Sequence, residues 1–393
     1  MKKTTIIALI ILLIAGLFVA CNNETIVDDA FVNGGGGGTG NYITATTTSI
    51  KSGKTWTIKE NVVNNNRIAI EGNEETTILL PAGKKLELKK GITVSAGQTL
   101  IIDGDDTGIL IAGEDLYGGS HGQAGIGGEG SGDFGGTIKI KKGTIKAYGG
   151  DYTAAIGCIV CPDTPPAEGT MNIQILGGNI EAKGGVCGAG IGGYKATILI
   201  EEGIVVSKAY QEATGKGVGI GGYGCKITIN GGSIRAFGGN GGAGIGSVDN
   251  YTDSSSQTIK ITGGTVEATG GSSDYAQAGA GIGGGDGEYG RKITITGGTI
   301  VATGGVGGGG AAGAGIGGGY MGNGGNVVIS GGTIETNGGE GAKGIGRGSG
   351  LGATEDGVLT ITGLTLYGDN DINPPTSGHG TDTSTRYRYM DVR

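Results

Sequence analysis

Five cysteines, two histidines, one tight group of aspartates and a recurring set of tyrosines are the residues of this chain whose chemistry could amount to a function. Asp103, Asp105 and Asp106 form the densest acidic group. Cleavage of a polysaccharide needs clustered carboxylates, or a calcium-bound acidic group beside an Arg or Lys base. Asp-Gly-Asp-Asp alone reads as a solvated turn. His121 stands in a glycine-rich stretch with no chemical partner in view. Cys158, Cys161, Cys187 and Cys225 include a Cys-x-x-Cys pair, a spacing shared by zinc and redox sites. In an oxidising compartment they read first as disulfides pinning the 157–170 segment, with three pairings open; free thiols and a four-cysteine zinc site are the alternatives. Tyrosine outnumbers phenylalanine 14 to 4. Tyr194, Tyr223 and Tyr320 follow Gly-Ile-Gly-Gly at nearly the same offset, and Tyr289 and Tyr117 occupy comparable positions. An exposed row of such rings would stack on the sugars of an extended glycan. The competing reading is that each ring shields its own corner. No catalytic residue, metal or cofactor is assigned.

The first 20 residues have the layout of an export signal: Lys2 and Lys3, then an uncharged apolar run from Ile6 to Ala20. That run is shorter than the roughly 20 residues a membrane-spanning helix needs. Phe18-Val19-Ala20-Cys21 resembles the lipobox of bacterial lipoproteins, with Phe18 departing from the usual Leu. The resemblance implies that Cys21 is lipidated and becomes the N-terminus. Asn22 after it resembles the pattern of lipoproteins passed to the outer membrane, if the host is Gram-negative. Residues 21–45, with the run Gly34 to Gly38, read as the lipidated cysteine and a flexible tether. The expected location is the cell envelope, anchored to a membrane by lipid.

Glycine supplies 95 of 393 residues, yet proline only 6, and no three-residue period exists, which excludes collagen. With 36% hydrophobic residues in regular spacing, the chain can bury enough surface to order itself. Its formal charge of −8 excludes nucleic acid as a partner.

The glycine belongs to a repeat. One copy reads Lys292-Ile293-Thr294-Ile295, then Thr296-Gly297-Gly298, Thr299-Ile300-Val301-Ala302, and after a loop Ala314-Gly315-Ile316-Gly317-Gly318. From the last Ile of the first segment to the first apolar residue of the second is five residues in every copy, from Ile140–Ile145 to Ile361–Leu366. From the second segment to the central Ile of Gly-Ile-Gly is 11 residues in four copies and 16 in two. One corner is fixed and two vary. A unit this small cannot hide its apolar face alone, so copies must stack, each short strand pairing in parallel with its equivalents above and below. Ile293, Ile295, Ile300 and Ala302 would face in; Lys292, Thr294, Thr299 and Val301 would face out. The expected fold is all-β: a single-stranded, right-handed parallel β-helix, or β-solenoid, with three short strands per coil and about nine to eleven coils. Residues 46–75, with Trp56, read as an N-terminal cap, 76–368 as the β-helix, and 369–393 as a C-terminal cap and tail. The outward column Thr144, Asn179, Ser233, Thr265, Thr299, Thr333, Thr365 is flanked by charged Lys146, Glu181, Arg235, Glu267 and Glu335, which spoils a flat hydroxyl plane of the ice-binding kind.

The unit Gly-Gly-Thr-Ile-x-Ala-x-Gly-Gly…Ala-Gly-Ile-Gly-Gly, over roughly 76–368, resembles the glycine-rich right-handed β-helix repeats of bacterial surface and secreted proteins. The resemblance implies the fold and a carbohydrate-binding or adhesive role, without assigning residues. Gly378-His379-Gly380 is similar to a tripeptide of the polygalacturonase family but lies beyond the last coil, without that family's other motifs. The leading expectation is a monomeric, non-catalytic surface lipoprotein that binds an extended polysaccharide or another cell's glycan. A polysaccharide lyase or hydrolase, and a structural envelope spacer, are the alternatives.

Overall fold

The inward apolar positions decide the architecture. In the computed structural model, Leu110, Ile145, Ile180, Val205, Ile234, Val266, Ile300 and Ile334 are each the pairing partner of the next and form one axial file. All eight are buried. The structure describes residues 40–114, 122–130, 134–160, 171–211, 215–248, 257–362, 364–367 and 389–392, the last two as backbone. Cys21, Tyr117, Cys161, His121 and His379 lie outside them.

Three parallel ladders carry the files, wound as a right-handed β-helix. The first runs from Asn41–Tyr42 through Thr137–Ile140 to Val358–Ile361. The second begins at Val62–Asn64 and includes Thr144–Tyr148, Asn179–Lys183, Ile204–Lys208, Ser233–Phe237 and Thr265–Thr269. The third is a sheet of eleven very short strands, from Ser49–Lys51 to Ile345–Gly346. Strand period puts alternate residues inside, and the Lys292–Thr303 strand buries Ile293, Ile295, Ile300 and Ala302 as the repeat predicts. Each buried Ile or Val contributes roughly 1.5–3 kcal/mol by leaving water. A coil has only a few such residues, so stability comes from stacking.

The third ladder needs glycine for a steric reason. Its glycines from Gly127 to Gly346 have φ between +131° and +144°. A Cβ on Gly157 would lie 1.8 Å from the carbonyl oxygen of Gly192 in the next coil. The backbone then closes on itself around the inward isoleucine: the N–H of Ala314 donates to the carbonyl of Gly318 (2.9 Å), as Ala280 does to Gly284 and Ala154 to Cys158. The two variable corners thus leave the solenoid side by side. Ala154, Val160, Ala189, Val218, Ala243 and Val248 form a small second cluster there.

Two expectations about the ends need correction. Residues 46–75 are not a cap apart from the helix: Trp56 pairs with Asn41 and Ile78, Ile50 with Ile70, and Val62 with Leu86, so the coils start near residue 41. These early rungs keep the inward apolar file but not the glycine corners, which hides them from a search for the repeat. At the other end, Leu366 is not the next member of the file after Ile334. The strand Tyr389–Val392 runs antiparallel between them, Met390 pairing with both.

The first glycine-type rung is tied to its predecessors by Arg67. Its guanidinium donates to the carbonyls of Lys90, Ala124, Ile92 and Gly127, and its Nε to Thr93 Oγ1. Glu129 lies 3.5 Å away as counter-ion. One largely buried cation thus gathers backbone oxygens where the coil geometry changes.

Candidate functional site

The tyrosine row does not form an exposed platform. Tyr194 and Tyr223 are each only 4% exposed. Their rings stack at 5.2 Å with planes 6° apart, and Phe134 meets Tyr194 edge-on at 6.1 Å. The left-handed backbone at Lys195 (φ +48°) turns the corner just after Tyr194. These two rings close the corner; they are not a sugar platform. Tyr320 is half-buried, and a Cβ on Gly350 would lie 2.6 Å from its Cε2. Tyr289 is exposed, with the Arg291 guanidinium 5.3 Å from its ring centre.

The other candidates separate in space. Asp105 accepts from both the N–H and the hydroxyl of Thr107, and those bonds hold its carboxyl below the usual range. Asp103 accepts from the N–H of Gly104. The group is a turn. Among the described residues no three His, Cys, Asp or Glu side chains gather as a metal site. No disulfide joins Cys158, Cys187 and Cys225 to one another. Cys158 and Cys225 pack against Gly193, to whose carbonyl the Cys225 thiol donates at 3.0 Å, whereas Cys187 lies against Gly215 at the other variable corner. Burial pushes the Cys225 thiol up to about 12. At pH 8 roughly one such thiol in ten thousand would be ionised. Peptide mapping after maleimide treatment should therefore find Cys225 unlabelled in the native protein and fully labelled in guanidinium. Rapid native labelling would contradict the buried position.

A different surface is assembled by the second ladder. The five strands from Thr144–Tyr148 to Thr265–Thr269 each continue one residue beyond the inward Ala or Ser. That outward position carries Tyr148, Lys183, Lys208 and Phe237 on successive coils, in register. Along the solenoid axis, perpendicular to the strands, they are about 4.8 Å apart. The neighbouring outward positions hold Lys146 and Glu181, paired at 3.6 Å, and Arg235 and Glu267, paired at 2.8 Å. Rings and cations interleave: Lys208 Nζ is 5.7 Å and the Arg235 guanidinium 5.3 Å from the Phe237 ring centre, and Lys183 Nζ is 5.8 Å from that of Tyr210. These contacts are near the limit of cation–π attraction, and both rings are half-buried. The chemistry offered is stacking and charge-assisted hydrogen bonding along a line.

One coil at the centre of this stripe departs from the rest. After the second strand, its neighbours continue Gly184-Gly185 and Gly238-Gly239, where this coil has Ala209-Tyr210. Its inward position is Ser207 in place of Ala; the hydroxyl donates to the carbonyl of Gly219 at 2.7 Å. The repeat as read from the sequence ends its second segment at the inward Ala, as in Thr299-Ile300-Val301-Ala302. The residue after that Ala was the signal to follow.

Comparison with known proteins agrees with this geometry. Five segments, 138–159, 173–193, 227–247, 259–286 and 293–320, match the family described as a beta helix repeat. Each match begins on the same first-ladder file: Ile138, Ile173, Ile227, Ile259 and Ile293. The protein is a parallel β-helix repeat protein. The coil carrying Lys208 and Tyr210 falls between the second and third matched segments. No curated protein and no solved structure matches the chain.

Proposed function

We propose that this protein is an exported, lipid-anchored surface module that binds an extended glycan without altering it, through the outer face of the second ladder. The observation that carries this reading is the in-register run of Tyr148, Lys183, Lys208 and Phe237, with Tyr210 set beside it by a coil that lacks the Gly-Gly pair of its neighbours. A rigid ladder holds these groups at a regular repeat along its axis, so a polymer can be contacted at several units without ordering the protein first. Amphipathic rings and long cationic side chains suit sugars, which present apolar faces and many hydroxyls.

On a broad array of immobilised glycans, the full chain is expected to bind at least one extended polysaccharide. Replacing Tyr148 and Phe237 together by Ala should weaken that binding at least tenfold while leaving the circular dichroism spectrum unchanged. Incubation should leave the polymer's chain length unaltered. Binding indifferent to both substitutions would remove this face from the function; shortening of the polymer would overturn the non-catalytic reading.

A further inference from the structure

The last coil of the solenoid holds a strand that its ladder does not need. We propose that Tyr389–Val392 is exchanged between two copies of this chain, joining them end to end through their last coils. This departs from the monomer expected of the repeat alone and is independent of the glycan-binding reading.

In each coil from Val62–Asn64 to Thr333 the second-ladder strand pairs directly and in parallel with the one before. The last coil does so in the first ladder only, where Asn326 pairs with Val358 and Ile329 with Ile361. In the second ladder Tyr389–Val392 stands between, antiparallel to both neighbours, and Met390 pairs with Ile334 on one side and Leu366 on the other. Yet Ile361 to Leu366 is the same five-residue step as Ile329 to Ile334. With Ile329 and Ile361 already paired, Leu364–Tyr367 is in register to close directly on the coil before, Thr365 on Thr333 and Leu366 on Ile334. The ladder is complete with the inserted strand or without it. A strand that leaves carries a row of unpaired backbone groups, and the identical slot of a second copy satisfies them.

Two further features point to a second copy. Tyr367 and Tyr389 are pairing partners, yet 21 residues connect them, where a hairpin needs about 2–5. Fully extended, that connection reaches about 70 Å, enough to cross to a neighbour. The last coil is also apolar where the others are not. Val358 is 61% exposed at the outward position that holds Thr99, Thr137, Asn172, Thr197, Lys226 or Asn326 in earlier coils. Leu359 and Ile361 are only partly buried, and Leu351, at the corner of the same coil, is 98% exposed. Among the described residues no strand pairs with the far edge of Val358–Ile361. A second copy related by a twofold axis presents the same edge running antiparallel, so two such ends are self-complementary. The coils that start near Asn41 then lie at the two far ends of the pair. With the anchor proposed above, the pair bridges two facing membranes.

The test uses the full chain with one added cysteine per variant and tags that distinguish the copies. Thr333 and Asp391 are pairing partners. Antiparallel partners have Cα atoms about 4.5–5.5 Å apart, within reach of a disulfide. Mixing T333C with D391C under mild oxidation should link two chains, and peptide mapping should place the bond between the two introduced thiols. Mixing T299C with D391C should give at least tenfold less, because Thr299 already has both its partners, Thr265 and Thr333. By light scattering the unaltered chain should double its mass as concentration rises. Met390→Pro, which removes a ladder N–H, should move that transition at least tenfold upward while keeping the folded spectrum. A T333C/D391C double variant that links only within one chain, with no link in the mixture, shows that the strand stays at home and overturns the proposal. No link in either case, equal linking of T299C, or a dimer indifferent to Met390→Pro overturns it as well. None of these outcomes bears on whether the chain binds glycan.

Discussion

Gly192→Ala is expected to lower the stability of the folded chain by on the order of 4 kcal/mol, against about 1–2 kcal/mol for Gly83→Ala. Both glycines have positive φ, +141° at Gly192 and +63° at Gly83. At Gly83 the added methyl group meets nothing within 4 Å, so only the backbone preference is lost. At Gly192 the same methyl would lie 1.9 Å from the carbonyl oxygen of Gly221 in the next coil. Either that coil moves away or Gly192 leaves its conformation, and both disrupt the bond from the Gly193 N–H to the Gly221 carbonyl (3.0 Å). Because each coil contacts only its neighbours, the damage should concentrate there. Denaturant midpoints by circular dichroism give the total effect, and amide exchange at Gly193 locates it. Equal losses at the two positions would show that the third ladder's close approach is not what demands its glycines.

That steric demand also explains what could be read in advance. The Gly-Ile-Gly column repeats because backbone passes within contact of backbone, and the inward files repeat because the core is continuous. Both leave a period in the sequence, so the stacking of Ile145, Ile180, Ile234 and Ile300 was legible. Where the constraint relaxes, the period fades. Coils before residue 99 turn their corners with Ser, Asn, Lys and Pro as well as Gly, so Trp56 looked like part of a cap. The antiparallel strand Tyr389–Val392 has no repeat to announce it. Side-chain direction at a corner is harder still. Tyr194 and Tyr223 share an offset with Tyr320, but whether a ring covers its corner or leaves it depends on what the neighbouring coil offers. Tyr194 finds Tyr223 and Phe134 to pack against.

The candidate site follows the same logic from the opposite side. Outward positions bear no core constraint, so their residues drift between coils, and a regular pattern is not expected of them. What marks Lys208 and Tyr210 is a departure: the coil gives up the Gly-Gly pair of its neighbours and an inward Ala. Ser207 then needs, and finds, the Gly219 carbonyl. A repeat tolerates such a coil only because its pairing atoms are unchanged. The variation proposed to bear function is confined to side chains on a backbone that the rest of the repeat fixes.

Gln257→Met is expected to raise stability by about 1–3 kcal/mol, the reverse of the usual effect of a core substitution. Gln257 is 1% exposed, and neither its amide nitrogen nor its amide oxygen has a hydrogen-bond partner. It occupies the position just before the first-ladder strand, where the preceding coils place Met171, Ala196 and Cys225, each accepting through its carbonyl from the next coil. Met171 shows that an unbranched apolar side chain fits this column. The following coil places Arg291 there, and that residue has the carboxylate of Glu288 as partner. Gln257 leaves both atoms of its amide buried without a bond. Methionine has nearly the same length and no amide to desolvate, so exchanging them removes a penalty without opening a cavity. A shift of the urea midpoint upward at constant slope would register the gain. A lower midpoint would mean that the amide is satisfied in solution, with water its only available partner in this column. The sign of one measurement thus reports whether the solenoid interior is dry at the corner where the third ladder gives way to the first.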